Sequence, residues 1–374
     1  MNKKLRLAAL VVALASACTP AAAAYTALFA FGDSLSDAGN LLSESVGTIP
    51  LAPYVDGHFS NGPTWVEDLS QMLGLGPMKP FLTSTDGTNY AFGGAQTGTT
   101  DINPPNPSSP IHIDLPDQVA AYDLLNPTPV KGALYTLDIG ANDILNALAE
   151  FVGGKISLPE VETVVSQAEG NTIDSVKSLA ELGAQSLLFY DVPNLGLTPR
   201  FEGTPLQGLA SGLAASFNAA VLEGLTQLDG LKVFTLDTYD LLGEIKADPS
   251  GFGFTNVSDP CWTGSFTDPN SGTLCSPNLD DQNQFLFWDE IHPTAAGHLL
   301  AAEFALDALN TVPEPSTWAM MLVGFAGLGL QAFRRSRKGA ITLTRLGASA
   351  VLPRTVIRGL TRRSTPRCLR DEPR

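Results

Sequence analysis

The sequence predicts an α/β fold, a three-layer α/β/α sandwich built around a parallel sheet of about five strands. Two observations lead to this prediction. Short, almost continuously apolar runs recur along the chain, and longer segments with a helical pattern separate them. Continuous apolar runs are typical of strands that are covered on both faces. Strands that alternate with helices need crossover connections, and these make neighbouring strands parallel.

The predicted elements alternate in order along the central part of the chain. Strands are predicted at 26–31, 89–93, 133–140, 186–192 and 232–237. Helices are predicted at 63–73, 114–125, 159–183, 206–228 and 293–309. Pro63 suits the start of the first helix, because a first helical turn tolerates a missing N–H. The Pro-rich stretch NPPNPSSP at 103–110 interrupts the pattern, and we predict a surface loop there.

Charge is distributed very unevenly along the 374 residues, whose formal net charge is −16. Residues 25–312 hold seven basic and 35 acidic side chains, whereas residues 313–374 hold twelve basic and three acidic ones. Because affinity for phosphate comes mainly from Lys and Arg, the acidic central region argues against nucleic acid as a partner. An acidic surface also keeps a protein soluble.

The N-terminus has the three parts of a secretory signal peptide, which we place at residues 1–24. Basic residues precede an apolar run, and the small residues Ala22, Ala23 and Ala24 provide an Ala-x-Ala cleavage site. Lipidation at Cys18 and an uncleaved N-terminal anchor are the alternatives. Export would place the following domain, residues 25–311, in an oxidising compartment.

The C-terminus carries a second targeting pattern, VPEPSTWAMMLVGFAGLGLQAFRRSRK, at 312–338. The apolar run 317–333 would be roughly 25 Å long as a helix, slightly short of a hydrocarbon core of about 30 Å. Basic residues follow on one side only, as the positive-inside rule expects of a cytoplasmic flank. The Arg-rich residues 339–374 have no apolar period, and we expect them to be disordered.

This C-terminal pattern resembles the PEP-CTERM sorting signal of Gram-negative bacteria. The resemblance implies that an exosortase recognises and cleaves the Pro-Glu-Pro stretch. It also implies that the membrane holds the chain transiently through residues 317–333. The processed protein would then reside in the periplasm, at the cell surface or in the extracellular matrix.

Polar residues suited to catalysis follow several of the predicted strands. Ser34 follows the first strand, Gly94 the second and Asn142 the third, while Asp289 and His292 stand just before the last helix. The carboxyl ends of parallel strands share one edge of a sheet, where active sites form. We therefore expect these residues to meet at that edge.

These residue types are typical of nucleophilic catalysis. A serine hydroxyl becomes a nucleophile when an imidazole takes its proton, and a carboxylate fixes the tautomer of that imidazole. Asp289 precedes His292 by three residues, so one loop can carry both. Glycine N–H groups and asparagine amides can donate hydrogen bonds to a developing oxyanion.

Four segments of the chain together resemble the GDSL (SGNH) esterase and lipase family: FGDSLSDAGN, NYAFGGA, GAND and DEIHP, in that order. The resemblance spans the region between the two targeting segments and implies an SGNH hydrolase, flavodoxin-like fold. It implies that Ser34 is the nucleophile, and that its own N–H, Gly94 and Asn142 form the oxyanion hole. It also implies that His292 is the base and that Asp289 orients it.

Each assignment has an alternative. The alternatives are a turn serine at Ser34, Gly93 in place of Gly94, a helix cap at Asn142 and Glu290 in place of Asp289. Of the other histidines, His298 is expected to be a surface or packing residue on the last helix, and His58 is a candidate for lining an acyl pocket. The sequence has neither a zinc-ligand spacing nor a phosphate loop, so we predict no metal and no cofactor.

Two of the four cysteines belong to the central domain. Cys18 lies in the signal peptide and Cys368 in the C-terminal tail, which leaves Cys261 and Cys275 at the two ends of a turn-rich loop. Because an exported domain meets an oxidising compartment, we predict that these two cysteines pair. Two free thiols are the alternative.

We therefore expect an exported serine esterase that hydrolyses carboxylic esters, either lipid or short acyl esters, through an acyl-enzyme. A phospholipase or acyltransferase, or an exopolysaccharide O-deacetylase, would use the same triad and stays open. The intact set of Ser, Gly, Asn, Asp and His argues against a non-enzymatic surface protein. The sequence determines neither the acyl-chain length, nor the acyl acceptor, nor the oligomeric state.

Overall fold

The computed structural model describes residues 25–98 and 113–310. The predicted signal peptide, the Pro-rich loop at 103–110, the apolar run 317–333 and the basic tail 339–374 lie outside these residues. The domain boundaries and targeting segments assigned from the sequence therefore stay predictions.

A parallel sheet of four strands forms the centre of the described region. Its strands are β1 (Ala27–Gly32), β2 (Ala133–Asp138), β3 (Ser186–Tyr190) and β4 (Lys232–Leu236), and they lie side by side in chain order. Each strand pairs in parallel with the next. All four carboxyl ends therefore lie at one edge of the sheet, and the prediction of a parallel α/β fold is confirmed.

The predicted strand at 89–93 pairs with β1 without becoming a continuous strand. Two of its N–H groups donate to carbonyls of β1, at 2.7 and 3.0 Å, as in a parallel ladder. Its first residue, Asn89, instead donates its N–H to the carbonyl of Lys79 at 3.1 Å and accepts the N–H of Phe81 at 3.0 Å. These two bonds lie on the side of Asn89 that faces away from β1. The ladder with β1 stops because the N–H of Gly32 donates to Oε1 of Gln118 at 2.9 Å, so the described sheet has four regular strands and a partly paired fifth segment beside β1.

Helices connect and follow these strands. They are α1 (Asn40–Glu44), α2 (Trp65–Met72), α3 (Leu115–Leu125), α4 (Ala141–Val152), α5 (Leu158–Glu181), α6 (Gln207–Leu225), α7 (Thr238–Ala247), α8 (Leu279–Gln282) and α9 (Ala295–Asn310). The five predicted helices correspond to α2, α3, α5, α6 and α9. The helices α4 and α7 were not predicted, and they begin at Ala141 and Thr238, immediately after the ends of the predicted strands 133–140 and 232–237.

Reciprocal capping contacts fix where two of the longer helices begin. At the start of α2, the side chains of Thr64 and Glu67 each bond the backbone N–H of the other residue. Ser157 and Glu160 do the same at the start of α5. Such capping boxes satisfy N–H groups that have no partner within the helix. These helix starts are therefore set by the local sequence.

Helices cover both faces of the main sheet. In β1, Phe29 and Phe31 pack on the face covered by α3 to α6, whereas Leu28 and Ala30 pack on the face covered by α2 and α9. This alternation follows from the two-residue period of a strand. The result is three layers, with the sheet in the middle.

A second, two-stranded parallel sheet supports the loop that precedes α9. Its strands are β5 (Asn256–Pro260) and β6 (Phe285–Phe287). Directly after β6, the N–H of Trp288 donates to the carbonyl of His292 at 2.7 Å, and the side chain of Trp288 is buried. This bond closes residues 288–292 into a tight, anchored loop.

Candidate active site

The predicted site residues meet at the carboxyl edge of the main sheet. Ser34 lies two residues after the end of β1, and Asn142 lies in the first turn of α4, which follows β2. Gly94 follows the segment that is paired with β1, and His292 lies between β6 and α9. All four residues line one cavity.

A close approach between β1 and β2 determines where Ser34 lies. Gly32 has a φ of 144°, and a Cβ atom at this position would lie 2.1 Å from the carbonyl oxygen of Asp138. Only glycine fits such a contact, and only glycine adopts this φ without strain. A larger residue at Gly32 would displace the turn that presents Ser34.

Ser34, His292 and Asp289 form a continuous hydrogen-bonded chain. Oγ of Ser34 lies 2.8 Å from Nε2 of His292, and Nδ1 of His292 lies 2.8 Å from Oδ2 of Asp289. When Nδ1–H donates to the carboxylate, Nε2 is the nitrogen that can accept the proton of the serine hydroxyl. This is the arrangement that activates a serine as a nucleophile.

Asp289 is held in place by three further donors. Its Oδ1 accepts the backbone N–H groups of Ile291 and His292, at 2.9 and 2.8 Å. Its Oδ2 accepts the hydroxyl of Tyr54 at 2.7 Å. Burial alone would raise the pKa of Asp289, but the attraction of His292 and these hydrogen bonds outweigh burial and lower it. The carboxylate is therefore ionised, whereas its rival Glu290 is exposed.

The predicted oxyanion donors differ in whether their N–H groups already make hydrogen bonds. The N–H of Gly93, the alternative to Gly94, donates to Oδ2 of Asp37 at 2.8 Å and is therefore already engaged. Gly94 lines the cavity with a φ of 82°. Nδ2 of Asn142 donates to the carbonyl of Ala95 at 2.9 Å and to a carboxylate oxygen at 3.2 Å. An oxyanion would therefore have to share a hydrogen of this amide with one of these acceptors.

Asp37, for which the sequence predicted no role, connects the segment that follows β1 to the segment that contains Gly93 and Gly94. Its buried carboxylate accepts the N–H groups of Gly39, Asn40 and Leu41 and, from the other segment, that of Gly93. Burial raises the pKa of Asp37 to about 6. The signal available in the sequence was the Asp-x-Gly-Asn pattern, which is typical of turns.

Two buried carboxyl groups lie beside Ser34, one just after the end of β1 and the other at the end of β2. Asp33 and Asp138 are each 2% exposed, and the N–H of Asp33 donates to Oδ2 of Asp138 at 3.4 Å. The hydroxyl of Ser36 donates to Oδ1 of Asp138 and accepts the indole N–H of Trp65 at 3.0 Å. Oδ2 of Asp33 is the carboxylate oxygen that accepts the amide of Asn142. This chain of polar groups joins α2 to the floor of the site.

The cavity around Ser34 has a volume of about 540 Å³, within the range of small-molecule sites. Its wall beside α7 and α9 is apolar and contains Leu241, Leu242, Ile245, Leu286 and Leu300. Its wall along α4 is more polar. There Asn146 lies one turn after Asn142, and within the described part of the chain its buried Nδ2 has no hydrogen-bond partner.

The remaining described histidines do not line the cavity. Nε2 of His58 pairs with Glu67 at 3.1 Å, so the suggestion that His58 lines an acyl pocket is not supported. His298 is buried, and its Nδ1 accepts the N–H of Trp65 at 3.3 Å. Burial lowers the pKa of His298 to about 3 and keeps the ring neutral. Both side chains therefore support α2.

Cys261 and Cys275 are joined by a disulfide in the structure, across a sequence separation of 14 residues. Cys261 is buried, and its carbonyl accepts the N–H of Cys275 at 2.7 Å. The loop between them includes Phe266, whose ring lies 5.5 Å from that of Phe59. Phe59 in turn lies 5.1 Å from the ring of His292. The closed loop therefore borders the site.

The described residues contain neither a membrane-spanning helix nor a metal-binding group of side chains. Across 25–98 and 113–310, the helices are too short or too polar to cross a membrane. The same ranges contain no group of three or more His, Cys, Asp or Glu side chains that is placed to hold a metal ion. The apolar run 317–333, for which we predict a membrane segment, is not part of either range.

Comparison with known proteins identifies two regions. The family model described as "GDSL-like Lipase/Acylhydrolase" matches residues 28–305. The model described as "PEP-CTERM protein-sorting motif" matches residues 311–338. This motif indicates export and sorting to the surface or exterior of a Gram-negative bacterium. The resemblances inferred from the sequence are thereby confirmed.

Several curated proteins are similar to this chain. It is 32% identical over 341 residues to esterase EstA of Pseudomonas aeruginosa, covering 82% of this chain and 50% of that protein. It is 27% identical to a GDSL esterase/lipase of Arabidopsis thaliana, covering 77% and 91%. It is 26% identical to the phosphatidylcholine-sterol acyltransferase of Aeromonas hydrophila, covering 81% and 96%.

The chain spans about half the length of the Pseudomonas relatives that it matches. The match at 28–305 nevertheless covers most of the chain, including all four segments that carry the site residues. The chain belongs to the GDSL-like lipase/acylhydrolase family.

Proposed function

We propose that this protein is an exported serine esterase that hydrolyses carboxylic esters through an acyl-enzyme. The observation that carries the proposal is the chain from Ser34 through His292 to Asp289, with both contacts at 2.8 Å. Family membership supports the same reaction class. Oγ of Ser34 is the nucleophile, Nε2 of His292 the base, and Asp289 the group that holds the imidazole in its working tautomer.

The reaction proceeds in two halves. Nε2 of His292 takes the proton of Ser34 as Oγ bonds to the ester carbon, and the carbonyl oxygen becomes an oxyanion. The C–O bond to the alcohol then breaks, and the alcohol leaves with the proton from His292. A water molecule, deprotonated by the same nitrogen, adds to the acyl carbon. The bond between that carbon and Oγ then breaks, Oγ takes the proton back from Nε2, and the acid leaves, so that Ser34 and His292 return to their starting state.

The oxyanion needs donors that are in place before the reaction. The N–H groups of Ser34 and Gly94 and the amide of Asn142 are the proposed donors, since all three residues line the cavity beside the nucleophile. Loss of a single such donor costs about 100- to 1,000-fold in kcat in a comparable site.

The side chains that line the cavity favour esters of apolar acids. The apolar wall beside α7 and α9 suits an acyl chain, and the polar wall with Asn142 and Asn146 suits an alcohol that carries hydroxyl groups. This observation favours a lipid ester over a small acetyl group. A phospholipase or acyltransferase activity is the second candidate, and one relative is named for an acyltransferase. An exopolysaccharide O-deacetylase would need the polar wall alone.

Export and processing complete the proposal. Residues 1–24 direct secretion and are removed, and the apolar run 317–333 holds the chain in the membrane until an exosortase cuts near Glu314. The sorting motif at 311–338 supports this sequence of events. Residues 25–311 alone are then expected to form a soluble, active enzyme.

Covalent labelling tests the proposed function. An active-site serine reagent is expected to label the wild-type protein once, and peptide mass spectrometry should place the label on Ser34. The variant Ser34→Ala should lose the label and at least about 1,000-fold of its ester hydrolysis. The matched control Ser43→Ala removes an exposed hydroxyl on α1 and should keep both. Hydrolysis that survives in Ser34→Ala would contradict the mechanism.

A further inference from the structure

The residue before the nucleophile makes a contact that the proposed mechanism leaves unused. Oδ2 of Asp33 accepts a hydrogen bond from Nδ2 of Asn142 at 3.2 Å, and Oδ1 accepts the N–H of Leu35 at 3.1 Å. Asp33 also lines the cavity, although it is only 2% exposed. A buried carboxylate therefore touches one of the proposed oxyanion donors directly.

Asp33 lies beside a second buried carboxyl group, that of Asp138, whose Oδ2 accepts the N–H of Asp33 at 3.4 Å. Burial, together with the negative charge of Asp33, raises the pKa of Asp138 well above the usual value for an aspartate. Burial also raises the pKa of Asp33, but hydrogen bonds from Leu35 and Asp138 and the attraction of His292 oppose that rise. Asp138 is accordingly the protonated partner, and Asp33 carries the charge.

The contacts of Asp33 itself fit a charged carboxylate. Both oxygens of Asp33 face N–H donors, which favour a carboxylate. The titratable side chains that interact with Asp33 are Asp138, His292 and Tyr190. Of these, only His292 becomes positive during the proposed reaction. The charge on Asp33 is thus available to both Asn142 and His292.

We propose that Asp33 is a positioning residue, whose carboxylate orients the Asn142 amide towards the oxyanion and whose charge stabilises the protonated form of His292. This inference rests on the proposed esterase function. In the resting enzyme the two hydrogens of the amide point to Ala95 and to Asp33. The contact to Asp33 is the longer of the two, so the amide hydrogen that points to Asp33 is the one that the oxyanion shares as it forms.

The variant Asp33→Asn tests this role, because it removes the charge and keeps the size of the side chain. We expect kcat to fall about 10- to 100-fold, while KM changes less than about threefold, because the lost interaction acts in the transition state. Without the negative neighbour, protonated His292 is less stable. The acid limb of the kcat/KM profile against pH should therefore move to lower pH.

A buried aspartate elsewhere at the same edge provides the control. Asp191 follows β3 and accepts the N–H groups of Thr238 and Tyr239, but it does not line the cavity. The variant Asp191→Asn should keep the acid limb in place and kcat within about threefold, even if its melting temperature falls. An unmoved acid limb in Asp33→Asn would overturn the proposed effect of its charge on His292.

A double-mutant cycle tests the action through Asn142. In an Asn142→Ala background, Asp33→Asn should cost clearly less in kcat than it costs alone, because the two changes remove one interaction. Full additivity would overturn the positioning role.

A second variant covers the case in which Asp33→Asn does not fold. Asp138→Asn replaces a neutral acid by a neutral amide, so the acid limb should stay in place. A shifted acid limb with Asp138→Asn would place the charge on Asp138 and overturn the inference. If the wild type shows no ester hydrolysis that depends on Ser34, that result would instead contradict the proposed function itself.

Discussion

The hydroxyl of Tyr54 donates a hydrogen bond of 2.7 Å to Oδ2 of Asp289, across 235 residues of sequence. The same oxygen faces Nδ1 of His292 at 2.8 Å. Burial and the negative charge of Asp289 raise the pKa of Tyr54 above its usual value, so at neutral pH this hydroxyl keeps its proton and donates. Tyr54 therefore fixes the carboxylate that orients the proposed base.

The variant Tyr54→Phe is expected to lower kcat about tenfold, because it removes one hydrogen bond to a charged, buried group. KM should change less than about threefold, and steady-state kinetics on a chromogenic ester would measure both. Tyr239→Phe is a suitable control, because this hydroxyl donates to the carbonyl of Ser211 at 3.3 Å and lies away from the triad. Unchanged kcat in Tyr54→Phe would show that Asp289 is held without it.

The apolar wall of the cavity predicts a preference for longer acyl chains. Burial of each additional methylene stabilises by about 0.8 kcal/mol, so kcat/KM should rise from acetyl to decanoyl esters. The variant Leu300→Trp fills this wall and should lower the decanoyl-to-acetyl ratio at least about tenfold. Leu299→Trp, on the same helix but with a side chain that is 44% exposed, should leave the ratio unchanged. Equal ratios in the two variants would exclude this wall as the acyl site.

The buried pair of His58 and Glu67 predicts a pH-dependent contribution to stability. Burial alone would lower the pKa of His58, but the hydrogen bond and charge of Glu67 outweigh it and raise that pKa above 6.5. Burial likewise opposes the effect of His58, which lowers the pKa of Glu67 below 4.5. The stabilisation from His58 is complete below 6.5 and is lost as pH rises through its folded pKa. That from Glu67 is complete above 4.5 and is lost as pH falls through its folded pKa.

Urea unfolding of the wild type and His58→Gln would measure this contribution. The difference in unfolding free energy should be largest between about pH 4.5 and pH 6.5 and should shrink towards pH 9. A difference that does not vary with pH would show that the pair is not charged in the folded protein.

The disulfide predicts a loss of stability when it is removed. Closure of a loop of about 15 residues contributes on the order of 3 kcal/mol in the chain-entropy model. The double variant Cys261→Ala/Cys275→Ala should therefore unfold at lower urea concentration, and reduction of the wild type should have a similar effect. Mass spectrometry of a non-reduced digest should recover the two cysteine peptides joined. Two free thiols in exported protein would contradict the pairing.

Local sequence determined the alternation of strands and helices and the identity of the site residues. The apolar runs of β1 to β4 and the capping residues of α2 and α5 act over a few positions, so their patterns can be read directly. The four short segments around Ser34, Gly94, Asn142 and His292 likewise each follow or precede one element. Their meeting at one edge follows from a parallel sheet.

Tertiary structure decided the features that depend on distant partners. The segment 89–93 has a strand pattern, but the side chain of Gln118 takes the N–H of Gly32 that would continue its ladder with β1. Gly93 and Gly94 both line the cavity, and the choice between them depends on Asp37, because its carboxylate occupies the N–H of Gly93.

The support of the triad by Tyr54 and the charge state of Asp33 follow from burial beside another ionisable group. No local pattern encodes either contact, because Tyr54 and Asp289 are 235 residues apart and Asp33 and Asp138 are 105 residues apart. The sequence by itself therefore determined which residues are the candidates for the chemistry. Packing at the sheet edge decided how those residues are held and which of them are charged, because desolvation and hydrogen bonding act only once the chain has folded.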